Sequence, residues 1–147
     1  LGVAIRGSHH PGDRYLALHE WLVESVVERF LPRTLAGIAI EEAHHRGRAA
    51  TEYHYGMLAI VSAFAAALKI PVFRFHSGTI KKQAAGNGHA DKAMMIQAAR
   101  GIIRYYTMGV SHSDIGDDEA DALCLLHVAL SDSNFRALTN STHRSQA

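Results

Sequence analysis

Short apolar runs and longer stretches of helical spacing succeed one another along this chain. Leu18, Trp21, Leu22, Val26 and Phe30 recur three to four residues apart, with Glu20, Glu24 and Glu28 on the wet face. That spacing predicts a helix from Asp13, which can cap its start, to just before Pro32. Ile38-Ala39-Ile40 reads as a short buried strand that runs directly into Glu41-Glu42. A long helix follows from about Ala49 to Lys69, and its second half, Met57 to Leu68, is apolar nearly all round. It needs cover on more than one side: a sheet can supply one, a second copy of the protein the other. Pro71 to Phe75 is the next strand. After Ser77 to Lys82 and the loop Gly86-Asn87-Gly88, a helix runs from about Ala90 to Tyr105, and a last one from Asp117 to Leu130. At the start, Leu1 to Arg6 reads as a strand ended by Gly7, and 131–147 as a polar tail. Strands alternating with helices predict an α/β fold with at least partly parallel pairing, in one domain over 1–130.

Composition narrows the class. Of the 147 residues, 48% are hydrophobic and 20% charged, ordinary values for a soluble globular protein. No apolar run is long enough to cross a bilayer, so no membrane partner is expected. The first residues do not read as a cleavable signal. A single cysteine, Cys124, excludes an internal disulfide framework and suits a reducing, cytoplasmic compartment. Its place in the last apolar helix favours a core role over a nucleophile. A net charge of +1 decides nothing about nucleic acid, and the 11 histidines show no zinc spacing with cysteine.

The candidate chemistry lies in the acids. Asp117-Asp118-Glu119-Ala120-Asp121 crowds four carboxylates into the start of an apolar helix, where they repel one another. Exposure to solvent and the helix dipole can offset that repulsion; so can a bound cation. On a wheel of about 100° per residue, Ala122, Leu125, Leu126 and Ala129 centre the expected apolar face. Asp118 falls on its midline, with Glu119 and Asp121 flanking. Glu41 follows a buried strand, and sites in α/β sheets gather beyond the carboxyl ends of strands. A strand-end Glu with a helix-borne D-x-x-D offers the oxygen donors that hard divalent cations prefer. Two such cations about 3.5–4 Å apart support phosphodiester cleavage.

The basic residues fit a phosphate-bearing substrate. Lys81 and Lys82 follow a strand, Lys92 opens a helix, and Arg46 and Arg48 come soon after Glu41. A nucleotide-binding loop is excluded: Gly86 to Ala93 puts Asp91 where the second glycine belongs and Ala93 where the hydroxyl belongs. No G-x-S-x-G elbow occurs.

Over about residues 13 to 130 the sequence resembles the RuvC-type Holliday junction resolvases of the RNase H-like superfamily, phage versions especially. The resemblance is carried by Ile38-Ala39-Ile40-Glu41-Glu42, Ile70-Pro71-Val72, Thr79-Ile80-Lys81-Lys82, Gly86 to Lys92, and Asp118 to Leu123. It implies an RNase H-like mixed sheet flanked by helices, lacking its first strand in this sequence. It implies a homodimer paired along helices, for which Met57 to Leu68 is suited. It further implies that Glu41, Asp118 and Asp121 ligate Mg²⁺, with Mn²⁺ as a substitute, while Lys81 and Lys92 act at the scissile phosphate of a four-way DNA junction. Glu119 rivals Asp118 for one ligand position. His44 stands where cellular relatives carry a junction-wedging aromatic; with Arg46, Arg48 and Lys82 it completes the expected DNA contacts. The family's first-strand Asp has no counterpart, because no acid precedes Asp13. That departure leaves a non-catalytic junction-binding module as the alternative, beside a nuclease for other branched nucleic acids.

Overall fold

The computed structural model describes residues 10, 12–28, 35–42, 47–108 and 115–137. The strand expected at Leu1 to Arg6 lies outside them. The chain divides into two compact units, Leu1–Ile38 with Ala43–Val72, and Ala39–Glu42 with Phe73–Ala147.

In the first unit, α1 (Asp13–Leu22) does not continue to Phe30 as an α-helix. It widens into a π-helical stretch, Val23–Glu28, in a run rich in β-branched residues that narrow the α-helix preference. α2 (Arg48–Ala67) packs against α1. The Tyr15 ring stacks on Tyr53 with centroids 6.1 Å apart, and the Arg14 guanidinium lies 5.7 Å from the centre of the Tyr53 ring. Gly56 makes room for this: a Cβ there would meet the Tyr15 ring at 2.4 Å. Leu22, Phe64 and Ala65 are buried, while Met57, Leu58, Ile60 and Val61 stay partly exposed. α2 ends with Lys69 in the left-handed region (φ 57°), the Ile70 N–H donating to the Ala65 carbonyl at 2.8 Å. Glycine usually holds that position.

Strands β1 (Ile38–Glu41) and β2 (Val72–Phe75) form a two-stranded sheet among the described residues. The Ile38 N–H donates to the Pro71 carbonyl and the Glu42 N–H to that of Phe75, one register from end to end, so the pair is parallel. In the second unit α3 (Ser77–Ala85) follows β2 directly, a helix over residues that the sequence left without an assigned element. Gly86, at φ 75°, ends it. The loop beyond is fixed locally: Asn87 Oδ1 accepts from the His89 N–H at 3.0 Å, and Asp91 Oδ1 accepts from the Met94 N–H at 2.9 Å, capping α4 (Lys92–Tyr106). The acid that excluded a nucleotide loop is therefore an N-cap.

α4 and α5 (Asp117–Ser131) run side by side in the same direction, Lys92 beside Asp117 at one end and Tyr106 beside His127 further along. Met95, Ala99 and Ile102 of α4 meet Ala120, Cys124 and Val128 of α5, closed off by Ile80, Ala90 and Ile115. Ala99, Ala120 and Cys124 are wholly inaccessible, small side chains that let the helices approach closely. This corrects part of the expected apolar face. Ala129 is buried and Leu125 packs on the core as expected, but Ala122 and Leu126 are exposed, Leu126 by 49%, and the buried stripe runs through Ala120, Cys124 and Val128. On the wheel, Asp117 heads that stripe, Asp121 borders it and Asp118 stands further round. Within the stretch expected as a polar tail, residues 133–137 make a helical turn, and Phe135 is buried with its ring centroid 5.0 Å from that of Phe73.

Candidate active site

The second unit carries the chemistry-bearing residues on four elements. Glu41 is the exposed last residue of β1. Its neighbour Glu42 donates its N–H to the Phe75 carbonyl at 2.8 Å, and its carboxylate pairs with His76 Nδ1 at 2.7 Å. The ends of β1 and β2 are thus tied twice, immediately beside Glu41. α3 supplies Lys81, α4 opens on Lys92, and α5 opens on the acids.

Charge shows what these ends share. The Asp121 carboxyl is raised above the ordinary carboxylate value, first by partial desolvation, then by the negative charge of Glu41. Lys81 opposes the rise, while Asp118 and Asp117 add to it. One strand end and two helices therefore act on a single carboxyl. Lys92 Nζ donates to Asp117 Oδ2, joining the first residues of α4 and α5. That bond and the Asp117 charge raise the Lys92 amine above its ordinary value, with smaller contributions from Asp118 and Asp121. Glu119 Oε2 accepts from the Gly116 N–H at 3.2 Å, turning this carboxylate back onto the start of α5. Cys124, one turn below Asp121, donates its thiol to the Met95 carbonyl at 3.8 Å and is held above the usual thiol range by burial and then by Asp121. It is a core residue, packed between the two helices.

Of the expected site residues, Glu41, Lys81 and Asp118 act on the Asp121 carboxyl, and Asp118 and Asp121 act on Lys92. Lys82 is exposed on α3. Arg48 belongs to the other unit, where it pairs with Glu52 at 2.9 Å in full exposure. His44 and Arg46 lie outside the described residues. Asp117 and the Glu42–His76 pair joined the site unforeseen. Asp117 lies outside the D-x-x-D pattern, and its place four residues before Asp121 is the signal in the sequence that could reveal it.

All the acids here offer oxygen donors, the set that hard divalent cations take, and a cation would offset the negative charge that adds to the effect of desolvation on Asp121. Among the described residues, no group of three or more carboxylate, thiol or imidazole side chains stands ready to hold a metal ion.

No family model and no curated protein matches the chain. Solved structures do. The chain is similar to Thermus thermophilus RuvC in complex with Holliday junction substrate, at 22% identity and TM-score 0.68, covering 84% of this chain and 70% of that one. It is similar also to a second Thermus thermophilus RuvC structure, at 24% identity and TM-score 0.63, over 83% and 69%. The fold is that of RuvC. At these identities the likeness is one of architecture: helices flanking a small parallel sheet. No helix among the described residues is long and apolar enough to cross a membrane.

Proposed function

We propose that this protein is a metal-dependent endonuclease of the RuvC type, phage-like and RNase H-like, that resolves four-way DNA junctions in the cytoplasm. The observation that carries the reading is the action of Glu41, at the end of a strand, on Asp121, borne by a distant helix, within a RuvC fold. Glu41, Asp118 and Asp121 would hold Mg²⁺ or Mn²⁺ by converging on the ion as it binds, because their side chains are not grouped for a metal in its absence. Asp118 takes precedence over Glu119, whose carboxylate is engaged at the helix cap. The chemistry that two such ions supply is activation of water and stabilisation of the departing oxygen. The chain's own part is electrostatic. Lys81 and Lys92 lie in the field of the carboxylates and would neutralise charge that grows on the phosphate as water adds to phosphorus and the P–O ester bond breaks. Arg48 and Lys82 would contact the DNA backbone away from the cut. The incompletely covered apolar length of α2 supports a homodimer.

The test is cleavage of a synthetic four-way junction by the wild type and Glu41→Gln in Mg²⁺, with a flap and an RNA–DNA hybrid as competing substrates. Loss of at least about 1,000-fold is expected, equivalent to several kcal/mol of transition-state stabilisation. Undiminished cleavage in the variant overturns the mechanism. Salt-sensitive junction binding without cleavage by the wild type would replace it with a junction-binding module.

A further inference from the structure

Lys92 is the first residue of α4, with a side chain 82% exposed. A lysine so placed is a flexible point charge, and nothing in its own helix holds the ammonium in one position. Its partner comes from 25 residues along the chain: Asp117 Oδ2 accepts its proton. Asp117 is the first residue of α5, with a side chain 42% exposed. It heads the α5 face that continues through Ala120 and Cys124, both with no exposure, into the packed α4–α5 layer. Asp118 and Asp121 follow Asp117 in the first two turns of α5, at the same end of the α4–α5 pair as Lys92, and add smaller contributions to its charge.

We propose that Asp117 is a positioning residue: it holds the Lys92 ammonium beside the carboxylate group and thereby sets the rate of the chemical step, not the affinity for DNA. This rests on the nuclease reading above. The charge argument gives the direction. Removing a negative charge beside a phosphate-binding lysine strengthens attraction to DNA. A positioning residue whose loss frees the lysine slows catalysis at the same time. The two effects therefore move in opposite senses. A latch that withheld Lys92 from phosphate would behave differently, since its removal would speed cleavage as well as tighten binding. An inert surface pair would change neither.

The experiment compares the full chain with Asp117→Asn and Asp117→Glu by three readouts. They are single-turnover cleavage of a four-way junction in Mg²⁺, junction affinity without Mg²⁺, and acetylation of Lys92 by acetic anhydride followed by mass spectrometry. In Asp117→Asn we expect Lys92 to acetylate several times faster, cleavage to slow by about 10- to 100-fold, as for other supporting partners of a site, and affinity to hold or tighten. Asp117→Glu, which keeps the charge and can still reach, should recover part of the rate. Faster cleavage in Asp117→Asn, an unchanged rate, or a parallel loss of rate and affinity with a lowered Tm overturns the proposal. Equal acetylation of Lys92 in a wild type that cleaves overturns it alone. A wild type that protects Lys92 but cuts no branched substrate removes the nuclease reading and the positioning role with it.

Discussion

The two compact units use their apolar residues in different ways. In the first, burial among the described residues is confined to Leu22, Phe64 and Ala65, and much of the α1–α2 contact is a stack of Tyr15 on Tyr53 near the surface. In the second, a continuous set from Ile80 to Val128 fills the space between α3, α4 and α5. The acids and lysines rise from the second. Packing underneath holds the helix heads in place against the repulsion of their like charges. The first unit keeps apolar surface on α2, which suits association with another chain.

Truncations in the core probe that contrast most strongly. Ile102→Ala should cost about 2–5 kcal/mol, because it opens a cavity in the α4–α5 layer. Leu126→Ala, on the half-exposed side of α5, should stay within about 0.5 kcal/mol. Urea denaturation of the two variants measures the difference, and equal losses would refute the assignment of the buried face. A smaller effect of opposite sign is expected in the first unit. Lys69 occupies a left-handed position that glycine adopts freely, so Lys69→Gly should stabilise by about 0.5–1 kcal/mol after allowance for the entropy of glycine in the unfolded chain. A fall in Tm would show that the side chain has contacts that outweigh the strain.

The smallest effect tests the carboxylates. The Asp121 carboxyl titrates above its unfolded value of 3.8, so its charge opposes folding, and the stability it allows at low pH is lost as pH rises through the folded value. Asp121→Asn should therefore match the wild type below about pH 3.8 and exceed it at neutral pH. Solvent screening keeps the gain below about 1 kcal/mol. Added Mg²⁺ should raise the Tm of the wild type and leave that of Asp121→Asn nearly unchanged; melting curves across pH with and without Mg²⁺ provide the check.

Much of the frame was legible in the sequence because period and punctuation agree there. Ile38-Ala39-Ile40, Pro71 to Phe75 and the helices from about 90 and 117 lie close to where the pattern puts them. Glu41 and D-x-x-D were legible because carboxylates at a strand end and a helix start need a physical account. The face of α5 was misread for a reason of volume. Leu126 weighs heavily on any hydropathy wheel, yet close helix packing selects Ala120 and Cys124. α3 was missed because Ser77, Gly78 and Thr79 read as loop, although His76 and Gly86 close both of its ends. Phe135 stands alone among polar neighbours, and only the fold shows that it meets Phe73.

Cys124 is the sole thiol of the chain, sealed between α4 and α5 directly below the acids. Alkylating reagents reach it only in molecules whose helices have momentarily parted, so its rate of modification acts as an internal clock for that opening. Anything that clamps the heads of the helices together, whether an ion or a bound nucleic acid, should slow the clock without touching the sulfur.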